Sequence, residues 1–177
     1  MVNRPSDSFA PGTPPDSPQE TGIKFGAFTG SSVRSKRSVI LTAQFENLDR
    51  VRDFVAESAE ECGLEPAAVY AVQLAVDEAF TNIIEHAYGG ESNEKIECTC
   101  QIVGEDLEVT LMDCGRPFDP SLVPGPNLDA ELQEREVGGL GLYFIFQLMD
   151  EVHFSFTRKL ELNKNCNLLR MIKRKEK

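Results

Sequence analysis

The stretch PAAVYAVQLAVDEAFTNIIEHAY, residues 66–88, decides how this chain is read. Val69, Val72, Val76, Phe80 and Ile83 recur at helical spacing and make one apolar stripe. Pro66 suits the first helical turn, and Gly89-Gly90 stop the helix near Ala87. A second set, Glu78, Asn82, Glu85 and His86, follows offsets of four, seven and eight and shares another face, opposite or oblique to the stripe. An amide oxygen at Asn82, one turn from a carboxylate, suits a hard cation, while Glu78 could orient or deprotonate a nucleophile. Taken alone, the same face reads more readily as solvated surface.

Working outward, Val39, Ile40 and Leu41 start a short strand. Asn47 can cap a helix with Leu48, Val51, Phe54 and Val55 on its apolar face, ending near Cys62 with Gly63 at C′. Downstream, Ile96, Cys98, Cys100 and Ile102 alternate along one strand, and Leu107, Val109 and Leu111 along the next, with Gly104-Glu105-Asp106 as the turn between them. Residues 114–137 lack periodicity and contain four prolines, so they are expected to be a functional or mobile loop. A helix from about Gly139 to Met149 and strands near Val152–Arg158 and Asn167–Arg174 complete the chain. The order β-α-α-β-β-loop-α-β-β predicts an α/β two-layer sandwich, with helices on one face of a mostly antiparallel sheet.

Residues 1–35, rich in Pro, Ser and Gly, are expected to be a disordered tail, leaving residues 36–177 as the single domain. No run of about 18 apolar residues exists, which argues against a membrane span, and the N-terminus lacks the apolar core of a secretory signal. A cytoplasmic protein is expected. The five cysteines, Cys62, Cys98, Cys100, Cys114 and Cys166, fit no zinc spacing, and no redox or metal role is expected of them; Cys98 and Cys100 read as small buried hydrophobes. The formal net charge of −11 is uneven: −19 over residues 39–157, against +2 before and +6 after. So acidic a body repels phosphate backbones and disfavours nucleic acid as a partner. A bound nucleotide would need backbone N–H groups and a metal ion to neutralise its phosphates.

Two further motifs carry chemistry. In Asp113-Cys114-Gly115-Arg116-Pro117-Phe118-Asp119-Pro120, Asp113 ends a strand, where a carboxylate can accept a hydrogen bond from an exocyclic amine such as adenine's, and Gly115 would let a flat ring approach the backbone. In Gly138-Gly139-Leu140-Gly141-Leu142, a Gly-rich start to a helix exposes N–H groups that can cradle an anion, with Arg135 just before it as a clamp for a terminal phosphate. An ordinary Asp-x-Gly turn and a plain glycine loop are the alternatives for each motif by itself. Together, in this order, the elements could surround one adenine nucleotide.

The three segments Glu-Ala-Phe-Thr-Asn-Ile-Ile-Glu-His-Ala-Tyr (78–88), Asp-x-Gly-x-x-Phe-Asp-Pro (113–120) and Glu-Arg-Glu-Val-Gly-Gly-Leu-Gly-Leu-Tyr-Phe-Ile (134–145) resemble the N, G1 and G2 boxes of the anti-sigma-factor serine/threonine kinases. These belong to the ATPase superfamily that includes gyrase and histidine-kinase ATP domains. The resemblance covers about residues 37–175 and implies a histidine-kinase-like ATPase fold. It implies Glu78 as general base, Asn82 as Mg²⁺ ligand and Asp113 as adenine reader, with Gly115 under the base. Gly139 and Gly141 would line the phosphates of ATP, with Arg135 near the last. His86, Phe118, Gly138 and Leu142 fall within these boxes and are counted with the nucleotide site. The implied reaction is γ-phosphoryl transfer to a Ser or Thr of an antagonist (anti-anti-sigma) protein, the other implied partner being a sigma factor; homodimers are common in the family. A non-catalytic, ATP-responsive partner-binding module is the alternative.

Overall fold

The structure, a computed structural model, describes residues 32–120 and 140–176. Five strands form one sheet: β1 (Val33–Thr42), β2 (Lys95–Val103), β3 (Asp106–Asp113), β4 (Glu151–Lys159) and β5 (Lys164–Lys173). Their spatial order is β1-β2-β3-β5-β4, and every neighbouring pair is antiparallel. Three helices, α1 (Leu48–Cys62), α2 (Pro66–Asn82) and α3 (Leu140–Leu148), accompany it. The expected two-layer sandwich is the observed architecture.

Period-two patterning builds the sheet. Ile96, Cys98, Cys100 and Ile102 of β2 and Leu107, Val109 and Leu111 of β3 are all buried, and their alternate neighbours are not. Against this face lie Val51 and Val55 of α1 and Val69, Val72, Val76 and Phe80 of α2, which join the strands in one apolar cluster. Cys98 and Cys100 are core residues, as their alternation suggested. The hairpin turns at Gly104, whose φ of +66° suits glycine. Gly63 closes α1 in the left-handed region at φ +80°.

Three local expectations change. β1 begins at Val33, not near Val39, so residues 33–35 belong to the sheet rather than to the tail; its early half reads as polar because it alternates along an exposed edge. Asn47 precedes α1 but makes no side-chain cap. Its amide instead donates to the Thr42 carbonyl and hydroxyl at 3.1 and 2.9 Å, tying β1 to the helix from a buried position. Finally, α2 does not run evenly to Ala87. It widens after Asn82 into one π turn, Ile83–Ala87, closed by Tyr88 N–H to the Ile83 carbonyl at 3.1 Å. Such wide turns are frequent at functional sites.

Candidate functional site

Asp113 is the last residue of β3, and the inward phase of that strand turns it toward the helices. It is a buried carboxylate, 4% exposed. Its register partner on β5 is Asn167. Asn167 Nδ2 and the Gly115 N–H both donate to Asp113 Oδ1, each at 2.9 Å. Among the described residues no hydrogen bond reaches Oδ2, which remains as an acceptor. Burial pushes the Asp113 carboxyl above its ordinary range, with the bonds from Gly115 and Asn167 opposing the shift.

Asn167 also fixes the segment after β3. Its amide donates to the Arg116 carbonyl at 2.9 Å, and its Oδ1 accepts the Phe118 N–H at 3.1 Å. Tyr88 works from the other side: its hydroxyl donates to the Lys95 carbonyl at 3.0 Å and accepts the Cys114 N–H at 3.2 Å. Burial is the first cause that pushes this phenol up to about 12, so it is uncharged at neutral pH. Gly115 packs on the π turn so tightly that a Cβ there would lie 2.6 Å from the Ala87 carbonyl oxygen. The turn itself therefore requires this glycine, a stronger constraint than the approach of a ring.

A cleft opens beside Asp113. Asn82 and His86 line one wall, Leu142 and Ile145 of α3 another, and Phe118 and Phe154 a third. The two phenyl rings lie 5.4 Å apart. The polar groups are few and the walls apolar, which fits a flat heterocycle read at one edge. Of the residues singled out from sequence, Asn82, His86, Asp113, Phe118 and Leu142 thus share one cavity. Glu78 stands one turn before Asn82 and outside the lining. It meets α3 at Gly141, where a Cβ would come within 2.6 Å of Glu78 Oε2 and 3.3 Å of Asn82 Nδ2. Glu85, the fourth member of the polar face, does not line the cleft. Arg135, Gly138 and Gly139 lie outside the described residues.

Two features escaped the sequence reading. Asn167 sits in the run Asn165-Cys166-Asn167, and only the β3–β5 register, which no hairpin sets, brings it to Asp113. Cys114 and Cys166 form a disulfide across the same two strands, with Cα atoms 4.0 Å apart, a pairing that the sequence spacing did not suggest. An odd cysteine count hid the pair.

The fold is that of the histidine kinase-like ATPase domain family, whose model matches residues 41–173. Serine-protein kinase RsbW of Listeria innocua is 33% identical over 128 residues, covering 69% of this chain and 80% of its own. RsbW of Bacillus subtilis is 32% identical, covering 62% and 71%. The RsbU and RsbW domains of a Mycobacterium tuberculosis protein share the fold at a TM-score of 0.50 and 16% identity, covering 81% of this chain and 35% of that one. The chain belongs to the anti-sigma-factor serine/threonine kinase family, within the histidine kinase-like ATPases. No helix among the described residues is long and apolar enough to cross a membrane.

Proposed function

We propose that this protein is an ATP-dependent serine/threonine kinase and anti-sigma factor that phosphorylates an antagonist protein and thereby switches partners with a sigma factor in the cytoplasm. The observation that carries this reading is the cleft with a single free carboxylate oxygen, Asp113 Oδ2, at one side and Asn82, one helical turn after Glu78, at the other. The exocyclic amine of adenine would donate to Asp113, with the base between Leu142, Phe118 and Ile145. Among the described residues no cluster of three or more His, Cys, Asp or Glu could hold a metal alone. That is consistent with Mg²⁺ arriving on the phosphates, with the Asn82 amide oxygen as its protein ligand. When bound, the ion neutralises charge on the transferring phosphoryl group. Glu78 would take the proton from the attacking Ser or Thr hydroxyl, and its place one turn from Asn82 keeps it beside the metal without ligating it. Gly138 and Gly139, with Gly141, would present N–H groups to the phosphates, and Arg135 would approach the γ-phosphoryl.

The alternative, a binding module that senses ATP without transfer, draws on Glu78 lying against Gly141 rather than in the cleft lining. Incubation with Mg-[γ-³²P]ATP and candidate antagonist proteins from the same genome separates the two. A label on Ser or Thr of one antagonist is the expected outcome. Stable binding of an antagonist with no label in it would favour the module.

A further inference from the structure

Consecutive strand residues face opposite sides of a sheet. At the ends of β3 and β5 that alternation sets two cross-strand pairs back to back. Asp113 and Asn167 face the helices and the cleft; Cys114 and Cys166, one step farther along, face away. Cys166 is buried at 1% exposed, but Cys114 is partly exposed and borders a second cleft on the outer face with Met112 and Glu97. The three remaining cysteines are free and buried in the core. Of the five sulfur atoms, that of Cys114 is therefore the one that a thiol in solution can reach.

We propose that Cys114–Cys166 is a thiol–disulfide site through which a dithiol reductant approaching the outer face of the sheet lowers affinity for adenine nucleotides. This rests on the ATP-binding reading of the inner cleft. A thiolate of the reductant attacks Cys114 Sγ; the Cys114–Cys166 bond breaks, and Cys166 leaves as a thiolate that takes up a proton. The second thiol of the reductant then displaces Cys114, which also gains a proton, and the reductant becomes a disulfide. Two electrons and two protons pass to the protein. In a reducing compartment, bonds of this kind persist chiefly as sensors.

The coupling is direct in the chain. Cys114 lies between Asp113, which would read the base, and Gly115, whose N–H supports Asp113 Oδ1. Cys166 precedes Asn167, whose one side chain holds Asp113, the Arg116 carbonyl and the Phe118 N–H. With the bond closed, the two strand ends move as one, and Asp113 and Asn167 keep their bond. With it open, the β3 end loses its covalent tie to β5 and is held by hydrogen bonds, among them those to Tyr88, Asn167 and the Ala87 carbonyl.

The test uses the full chain, air-oxidised or treated with dithiothreitol, with ADP affinity read by calorimetry and thiols counted by alkylation and peptide mapping. ADP should bind about 5-fold or more tightly to the oxidised form. The Cys114→Ser/Cys166→Ser variant should bind like the reduced form and ignore dithiothreitol, whereas Cys62→Ser should keep the response. Free Cys114 thiol in the air-oxidised chain would overturn the proposal, as would equal ADP affinity in both forms while binding persists. Binding of ADP to neither form would overturn the nucleotide reading and the coupling together.

Discussion

Asp113 combines burial with incomplete pairing, and the two together explain why a carboxylate stands there. An interior carboxylate destabilises the fold unless its charge is used. Its raised ionisation means that the native state holds the proton more tightly than the unfolded chain does. The contribution of this group to stability is therefore full below the ordinary carboxylate range and is lost as pH rises through the raised native value. Asp113→Asn removes that dependence, so urea midpoints of the variant should fall less than those of wild type as pH rises on the acid side. The same substitution keeps the partners of Oδ1 but replaces a charged acceptor. Hydrogen bonds to charged groups contribute about 1.5–3 kcal/mol, so ADP affinity should drop roughly 10-fold or more while the melting temperature holds or rises. Calorimetry with ADP and thermal melts check both; unchanged ADP affinity would remove Asp113 as the base reader.

Among the elements, α3 is positioned by what Gly141 lacks. A Cβ at 141 would press on Glu78 Oε2 and Asn82 Nδ2, both ends of flexible side chains that can swing aside. Alanine is about 1 kcal/mol more favourable than glycine inside a helix, so Gly141→Ala should fold at least as stably as wild type. Phosphoryl transfer should nonetheless fall about 10-fold or more, since displacements near 1 Å cost up to about 100-fold in positioned reactions. Equal transfer by the variant would show that the place of Glu78 against α3 is immaterial. The elements also mark where sequence was legible. The α2 stripe, the alternation of β2 and β3 and the terminator Gly63 are local patterns, and they predicted real elements. The first half of β1, Asn47 bound to Thr42 and the π turn after Asn82 depend on pairing and packing with distant residues. The same holds for the site: Asn82, His86, Asp113, Phe118 and Leu142 were visible as motifs, whereas Asn167 and the Cys114–Cys166 bond exist only through the β3–β5 register.

For the whole molecule, the sheet begins at Val33, where the Arg34 side chain donates to the Gly104 carbonyl at 3.3 Å across the edge. Deleting residues 1–31 should leave ADP affinity and melting temperature unchanged. Deleting 1–35 removes that strand end and should cost about 1 kcal/mol, or roughly 2–4 °C in Tm. Melts of both truncations decide whether the boundary falls at 33; a large loss from the shorter deletion would mean that the tail packs on the domain. The account's central claim is that this domain transfers phosphate and does not merely hold ATP, and Glu78 bears that claim. Glu78→Gln keeps the size and most hydrogen bonding but cannot accept the proton, and loss of a general base typically costs about 10²–10⁴ in rate. The most direct test is single-turnover transfer to the antagonist at saturating Mg-ATP, comparing wild type with Glu78→Gln. The account predicts transfer at least about 100-fold slower with ATP and partner binding retained; transfer by the variant at the wild-type rate would contradict it.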